Sequence, residues 1–288
     1  MGQALLQKVR KALLVKYLSV DKFKCIRCAA CVAVCPIKII KLDPVSRLPE
    51  MVSKGEKICL RCGHCISVCP HRALSLYHMR AQDHHPLRHD WRLTPEKVEG
   101  ILKGRRSIRN YKNEPVEKDK LKKIIEAARY APSGINRQPV RWEIIYYKER
   151  VRRFSEAAIS WMRQQMRMES PLARTIRMKR IVAAWDNHND WICRGAPHLV
   201  IVYAPKSDIS VAQDCTIALT YFELAAASAH LGTCWAGYAQ LAINMSPEVR
   251  KFVYLSSRMR CFGAMLVGYP RFSYHRIPIR NKPHIIWR

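Results

Sequence analysis

Eight of the chain's 12 cysteines fall into two arrays of identical spacing, Cys25, Cys28, Cys31, Cys35-Pro36 and Cys59, Cys62, Cys65, Cys69-Pro70. Every cysteine of the first array recurs 34 residues later, and the same offset relates Arg27 to Arg61, Val34 to Val68 and Leu42 to Leu76. Two copies make one duplicated unit, not a solenoid, which needs further repeats to bury its faces. The spacing restricts the chemistry. Three thiols separated by two-residue gaps can wrap one face of a cubane cluster, and a fourth, followed by Pro, leads the chain away toward a second cluster. Zinc sites also use C-x-x-C pairs, but they rarely draw on three cysteines at consecutive two-residue gaps.

On this logic Cys25, Cys28, Cys31 and Cys69 hold one [4Fe-4S] cluster, and Cys59, Cys62, Cys65 and Cys35 hold the other. With all eight ligands and both prolines in place, residues 21–77 resemble the bacterial two-cluster ferredoxins. The remaining Cys193, Cys215, Cys234 and Cys261 are scattered among apolar residues and read as small core side chains. Cysteine-rich metal sites belong in a reducing compartment, and no charged segment leading into an apolar one opens the chain, so a cytoplasmic protein is expected.

The 288 residues carry 51 Lys+Arg against 22 Asp+Glu, a formal net charge of +29. A content of 49% hydrophobic and 25% charged residues excludes a disordered or collagen-like chain and suits about two domains. Residues 1–100 hold 18 Lys+Arg and 8 Asp+Glu, the remainder 33 and 14, so the charge is not a basic tail. With no helix-turn-helix, RNA-binding aromatic motif or zinc finger, it does not point to nucleic acid. The expected partner is an acidic electron carrier, a ferredoxin or flavodoxin, steered by the field. Leu224 to Pro247 is 24 residues without Asp, Glu, Lys or Arg, long enough for a membrane span. His230, Gly232, Gly237, Gln240 and Asn244 interrupt it, so a buried helix ending near Gly232 and followed by a loop is expected instead of insertion.

Residues 1–20 are expected to contain a basic amphipathic helix, Ala4 to Leu18, that packs on its own protein or a dimer mate instead of lying on a membrane. Residues 78–93 combine four of the eleven histidines, His78, His84, His85 and His89, at spacings that fit no standard metal site, and read as a linker. From 94 to 288 the periodicity is that of an α+β domain. Thr94-Pro95-Glu96 opens a helix with a cap and a first-turn Pro. Leu121 to Tyr130 is helical, and Trp142 to Tyr147, His198 to Tyr203 and Cys261 to Val267 read as strands. Val211 to Leu231 reads as a long helix buried on most sides.

Three segments of this domain carry chemistry. Gly104 to Tyr111 contains Arg105, Arg106, Ser107 and Arg109, forked donors and a hydroxyl suited to phosphate. Ala131 to Pro139 presents Ser133, Asn136 and Gln138 on a loop braced by Gly and Pro, able to meet a planar heterocycle. Gly268-Tyr269-Pro270 is followed by Arg276 and Arg280. In this order, with Leu231 to Gly237 (LGTCWAG) after the long helix, residues 96–288 resemble the FMN-dependent nitroreductase family. The resemblance implies an α+β sandwich that dimerises through its central helices, with FMN at the subunit interface. It places Arg105, Arg106, Ser107 and Arg109 at the flavin phosphate and ribityl end, and Ser133, Asn136 and Gln138 near the isoalloxazine. It also places Gly237 where backbone approaches the ring, and either Arg276 or Arg280 on the phosphate. Several members carry Glu before the glycine matched by Gly237, where this chain has Ala236. The segment Ser155 to Trp191 matches the family poorly; it either covers the flavin and shapes a substrate pocket or forms core helices.

The expected whole is an oxidoreductase with FMN and two [4Fe-4S] clusters, passing electrons from ferredoxin, flavodoxin or NAD(P)H to a small nitro, quinone or enone acceptor. Chemistry on the flavin requires no catalytic acid or nucleophile from the chain. The alternative is an electron-transfer or redox-sensing module that turns over no organic substrate.

Overall fold

In the structure, a computed structural model that describes residues 16–288, the 34-residue offset of the cysteine arrays is also an offset of backbone. The first unit, up to Arg92, runs through β1 (Leu18–Val20), α1 (Ala30–Ala33), β2 (Ile40–Leu42), β3 (Pro49–Met51), α2 (Gly55–Ile58), α3 (His64–Ser67) and β4 (Leu74–Leu76). The helices α1 and α3 and the strands β2 and β4 stand 34 residues apart. So do three left-handed positions, Arg27 and Arg61, Ala29 and Gly63, Lys38 and Arg72. β1 pairs antiparallel with β4, and β2 with β3. Leu18, Ile39, Ile40, Ile66, Leu74 and Leu76 close a small core around Cys31, Cys35 and Cys65.

Of the helix expected over residues 1–20, residues 1–15 lie outside the described residues, and Leu18–Val20 is strand β1. Pairing of Leu18 with Leu76 and Val20 with Leu74 overrides the helical period there, because it buries Leu18 in the cluster-side core. Residues 78–92 form two short 3₁₀ turns, Ala81–Asp83 and His89–Trp91.

The second unit, from Leu93, contains α4 (Pro95–Gly104), α5 (Lys118–Ala128), β5 (Arg141–Ile145), α6 (Lys148–Arg167), α7 (Pro171–Thr175), α8 (Met178–Asp186), β6 (His198–Pro205), α9 (Val211–Ser228), β7 (Gly232–Trp235), α10 (Gly237–Met245), α11 (Pro247–Phe252) and β8 (Met259–Gly268). Thr94 caps α4 by accepting a hydrogen bond from the Lys97 amide. The sheet order is β5-β6-β8-β7, antiparallel throughout. The inner strands β6 and β8 are buried on both faces, which explains their unbroken apolar sequences. Leu199, Ile201, Ala264 and Leu266 face one core, built with α6, α8 and α10; Val200, Val202, Met265 and Val267 face another, built with α5 and α9. The unit is a sandwich of helices on both faces of one sheet.

One expectation changes. After α9 ends at Ser228 the chain forms strand β7 and then helix α10, where a loop was expected. Pairing with β8 makes a strand of four residues that the hydrophobic pattern alone does not mark. Among the described residues no helix is long and apolar enough to cross a membrane. In the segment Ser155 to Trp191, Trp161, Met162 and Met178 are buried in the main core and Met166 and Trp185 pack against it, which makes these core helices.

His198, fully buried at the start of β6, ties this core to the chain before α5. Its Nε2 accepts from the Val116 amide at 2.8 Å, and its Nδ1 lies 2.5 Å from the Tyr146 carbonyl oxygen, so the ring is neutral with its proton on Nδ1. Burial holds its pKa below the ordinary 6.5. The unfolded chain therefore takes up a proton that the folded chain refuses, and this stability is complete above about pH 6.5 and is lost as pH falls below it. Unfolding titrations should show a fall of at most about 1.4 kcal/mol per pH unit from this group between pH 7 and pH 5. His198→Gln should be less stable at pH 7 but show a shallower dependence over that range; an unchanged slope would refute the assignment.

Candidate redox centres

The first unit sorts the eight array cysteines into two groups. Cys25, Cys28, Cys31 and Cys69 line one cavity, and Cys59, Cys62, Cys65 and Cys35 line another. The grouping crosses the arrays because the Pro after each fourth cysteine turns the chain into β2 or β4 on the far side of the small core. Among the described residues no three or more His, Cys, Asp or Glu close on a point as a single metal ion requires. Thiols arranged around a cavity suit a cluster instead of zinc. Burial, and then the neighbouring Cys59 and Cys62, push the Cys65 thiol up to about 11, and burial raises Cys31 in the same way. Such thiols become thiolates only beside compensating cations, as iron provides. The Ala73 amide donates to Cys69 Sγ at 3.3 Å.

The second unit carries a cleft of about 640 Å³ where the Arg105 to Ile108 segment, the end of α9, the start of β7 and the chain after β8 converge. Ser107 forms a parallel bridge to Thr233, and the Ile108 amide donates to the Thr233 carbonyl at 2.8 Å. This approach requires Gly232, where a Cβ would stand 2.6 to 2.8 Å from Ile108 carbon atoms. Arg105, Arg106, Lys112, His230 and Arg271 supply cationic or ionisable groups to the cleft. Arg105 Nε lies 3.3 Å from Oε1 of Glu223, a buried carboxylate of α9 that also accepts from Thr233 Oγ1 at 3.4 Å. Arg106 Nη1 donates to the carbonyls of Lys103 and Arg105.

Among the described residues only three buried side-chain nitrogen or oxygen atoms have no hydrogen-bond partner: Tyr17 Oη, Arg105 Nε and Arg106 Nη2. Tyr17 packs in the core that contains Cys59, and the two arginines line the cleft. Buried donors are rarely left unpaired; Arg105 Nε faces the Glu223 carboxylate at 3.3 Å, and an anionic group bound in the cleft accounts for Arg106 Nη2. The residues present therefore fit clusters in the first unit and an anionic group in the cleft.

The loop Ser133 to Gln138 is strained. Ile135, Asn136 and Gln138 have φ of 45°, 56° and 50°, a region that a β-branched side chain avoids. It is held from within by the Gln138 amide donating to Ser133 Oγ at 2.9 Å and Gln138 Nε2 donating to Asn136 Oδ1 at 3.3 Å. From without, the Gly134 amide donates to Oδ1 of buried Asp214 at 3.0 Å, and Arg137 Nη2 reaches Asp208 at 2.6 Å and Ser210 Oγ at 3.0 Å. Position 134 must be glycine, since a Cβ would meet Ser210 Oγ at 2.5 Å. The loop is thus pinned at the start of α9, and the arginine cleft meets α9 between Glu223 and its end. At 1.5 Å per residue the two sets stand roughly 14–20 Å apart along the helix.

Residues 102–269 match the family described as the nitroreductase family, and residues 24–73 match the 4Fe-4S dicluster domain. The chain belongs to the nitroreductase family. It is 47% identical over 57 residues to the FMN reductase [NAD(P)H] of Bacillus subtilis, a match covering 20% of this chain and 23% of that protein. It is 27% identical over 177 residues to the iodotyrosine deiodinase of Thermotoga neapolitana, covering 59% of this chain and 87% of that protein. The second unit superposes on a nitroreductase from Bacteroides fragilis solved with bound FMN. The TM-score is 0.58 and the identity 22%, over 68% of this chain and all of the other, a likeness of fold.

In this nitroreductase-family chain, Gly237 opens α10 with nothing within 4 Å of where a Cβ would stand, so the backbone there is open to close approach. Ala236 is buried and donates its amide to the Ala264 carbonyl at 2.8 Å, leaving no carboxylate at that position. Arg109 Nη1 donates to the Ser107 carbonyl at 3.3 Å and its side chain is exposed. Arg276 and Arg280 lie on the exposed final segment and do not line the cleft, whereas Arg271, held by its amide to the Asn110 carbonyl at 3.0 Å, does. Lys112, His230, Thr233 and Arg271 were not found from sequence. Thr233 sits inside the LGTCWAG segment and Lys112 directly follows the arginine segment, but nothing local marks His230 or Arg271.

Removing the anchor of the strained loop should release it. Asp214→Ala leaves the Gly134 amide unpaired, and we expect a loss of about 1–3 kcal/mol in unfolding free energy. Hydrogen exchange at residues 134–138 should quicken by at least about tenfold; unchanged protection there would show that the loop does not depend on Asp214.

Proposed function

We propose that the chain is an iron-sulfur flavoprotein oxidoreductase that takes up electrons singly through two [4Fe-4S] clusters and delivers them from FMN to a small electrophilic organic acceptor. The observation that carries this reading is the set of cations Arg105, Arg106, Lys112 and Arg271 lining one cleft, with Arg106 Nη2 buried and without a partner, in a chain whose other unit groups eight thiols four and four. FMN, when bound, supplies two-electron storage that can be filled one electron at a time, as cubane clusters require.

The chain's own residues have separable roles. Arg105, Arg106 and Arg271 hold the phosphate through charge-assisted hydrogen bonds, with Ser107 and Arg109 extending the set toward the ribityl chain. Glu223 keeps Arg105 turned into the cleft. Ser133, Asn136 and Gln138 meet the ring edge, and Gly237 lets backbone lie against it. Arg276 and Arg280 are reserve cations on the final segment. Ala236 removes the carboxylate that a larger side chain would bring to the ring, which favours an acceptor recognised by shape and by the strained loop.

The separation of loop and arginines along α9 supports a homodimer. A two-fold arrangement with antiparallel α9 helices brings the loop of one copy to the arginines of the other, and completes each site from both. The apolar groups exposed on α4 and α9, Val98, Leu102 and Tyr221, suit such a contact.

Anaerobic purification should yield about eight irons and one FMN per chain. Fewer than about six irons, or no FMN, would overturn the reading. Arg105→Gln should weaken FMN binding, read by flavin fluorescence, by about tenfold or more, the size of a lost hydrogen bond to a charged group. Assays with reduced ferredoxin or NAD(P)H should be run against nitroaromatics, quinones, enones and, given the deiodinase relative, iodophenols. Turnover of one class identifies the acceptor; reduction of none would leave an electron-transfer or sensing module.

A further inference from the structure

The duplicated cysteine unit contains its own comparison, because residues 34 apart occupy matching places around the two cavities. Before the first cavity the loop reads Lys22, Phe23, Lys24, Cys25, Ile26, Arg27, Cys28; before the second it reads Glu56, Lys57, Ile58, Cys59, Leu60, Arg61, Cys62. The first loop has three cations and no carboxylate, and the second has two cations and one carboxylate. Lys24, Ile26 and His71 form part of the wall of the first cavity, while no Lys or Arg lines the second. The thiols differ in the same sense. Cys28 is exposed and Cys69 half-buried, whereas their counterparts Cys62 and Cys35 are half-buried and buried.

A second segment joins the first loop. Arg27 Nε donates to the Ser46 carbonyl at 3.1 Å, which holds the turn Asp43 to Arg47 beside it. That turn is closed by Asp43 Oδ1, which accepts from the Val45 and Ser46 amides and from Ser46 Oγ, so its carboxylate is occupied locally. Asp21 is likewise occupied by the Phe23 and Lys24 amides and by Lys24 Nζ at 3.2 Å. Phe23 on the loop and Val45 on the turn are each 91% exposed, and the same two segments expose Lys22, Arg27 and Arg47, with Lys24 beside Asp21. Lys22 Nζ stands 5.0 Å from the Phe23 ring centroid. Folding gains nothing from a phenylalanine left that exposed. A small apolar centre with a cationic rim is the form of a weak, fast electron-transfer contact with a negatively charged protein.

We propose that the loop Lys22 to Cys28 and the turn Asp43 to Arg47 are the docking surface for an acidic one-electron carrier protein, which makes the cluster of Cys25, Cys28, Cys31 and Cys69 the electron entry and the cluster of Cys59, Cys62, Cys65 and Cys35 the inner relay. The inference rests on the cluster assignment of the preceding section. The step is a single electron transfer. The carrier is oxidised by one electron and the entry cluster is reduced by one, with no bond made or broken and no proton required. The cations shorten the search by steering the acidic partner, and Phe23 and Val45 exclude water from the contact.

The test uses the holoprotein, with a reduced acidic plant-type [2Fe-2S] ferredoxin as the probe, in stopped flow at several salt concentrations. The variant Lys22→Glu, Arg27→Glu, Arg47→Glu is compared with Lys57→Glu, Lys123→Glu, Lys179→Glu, which makes the same change in net charge elsewhere. The first should lower the second-order reduction rate at low salt by about tenfold or more and flatten its salt dependence. Its Kd for oxidised ferredoxin, measured by calorimetry without turnover, should rise in parallel, while reduction by dithionite, iron content and the cluster spectra stay unchanged. The second should change rate and Kd less than about threefold. Equal slowing by both variants would mean that only the overall charge matters and would overturn the proposal, as would no slowing by the first or no reduction by ferredoxin at all. Low iron in the wild-type protein is a separate outcome and would overturn the cluster assignment itself.

Discussion

The position of helix α9 governs the candidate flavin site. Val211, Cys215, Leu219, Phe222 and Ala226 bury one side of it against the inner strands β6 and β8, and that apolar contact fixes both its axis and its rotation. Two carboxylates on the same helix, Asp214 and Glu223, are buried as a result. A buried carboxylate must be paired, and each takes its partner from a segment of the candidate site: Asp214 takes the Gly134 amide of the strained loop, and Glu223 takes Arg105 and Thr233 at the cleft. Sheet packing thus sets the spacing between two binding elements that are far apart in the chain.

The strain in the loop and the buried Arg106 Nη2 without a partner belong to one arrangement. Left-handed Ile135, Asn136 and Gln138 persist because Asp214, Ser210 and Asp208 over-determine the loop. Arg105 is held by Glu223, and Arg106 by the carbonyls of Lys103 and Arg105. In both places side chains and backbone are fixed by neighbours from other segments. The overall charge of +29 acts at longer range. It is spread over both units; beside the first cysteine loop Asp21 and Asp43 are engaged by local hydrogen bonds, and Lys22, Arg27 and Arg47 are exposed.

Much of the site was legible from sequence, for reasons that differ by region. The cysteine arrays carry a pattern of their own, because a cluster imposes its spacing on a short stretch of chain, and each expected foursome lines one cavity. The helices and inner strands of the second unit were legible because burial on one or two faces writes a period into the sequence. Strand β7 was missed because Gly232-Thr233-Cys234-Trp235 has no period of its own and is a strand only through its pairing with β8. Arg271, which lines the cleft, is not marked in the sequence because the resemblance points only to an arginine after the GYP segment, Arg276 or Arg280. Which arginine reaches the cleft depends on the bridge between Tyr111 and Pro270, a contact between distant residues.

By itself the sequence determined the two-domain plan, the repeated eight-cysteine pattern, the family of the larger domain and the two segments that carry its polar donors. All of these are local or periodic, set by spacing along the chain or by one face of an element. Tertiary structure decided which cations meet in one cleft, that the loop and the arginines lie at separate places along α9, and that the two cysteine loops differ in exposure. Those features are set by packing between residues far apart in sequence, where hydrophobic burial chooses the arrangement and the polar groups must then find partners within it.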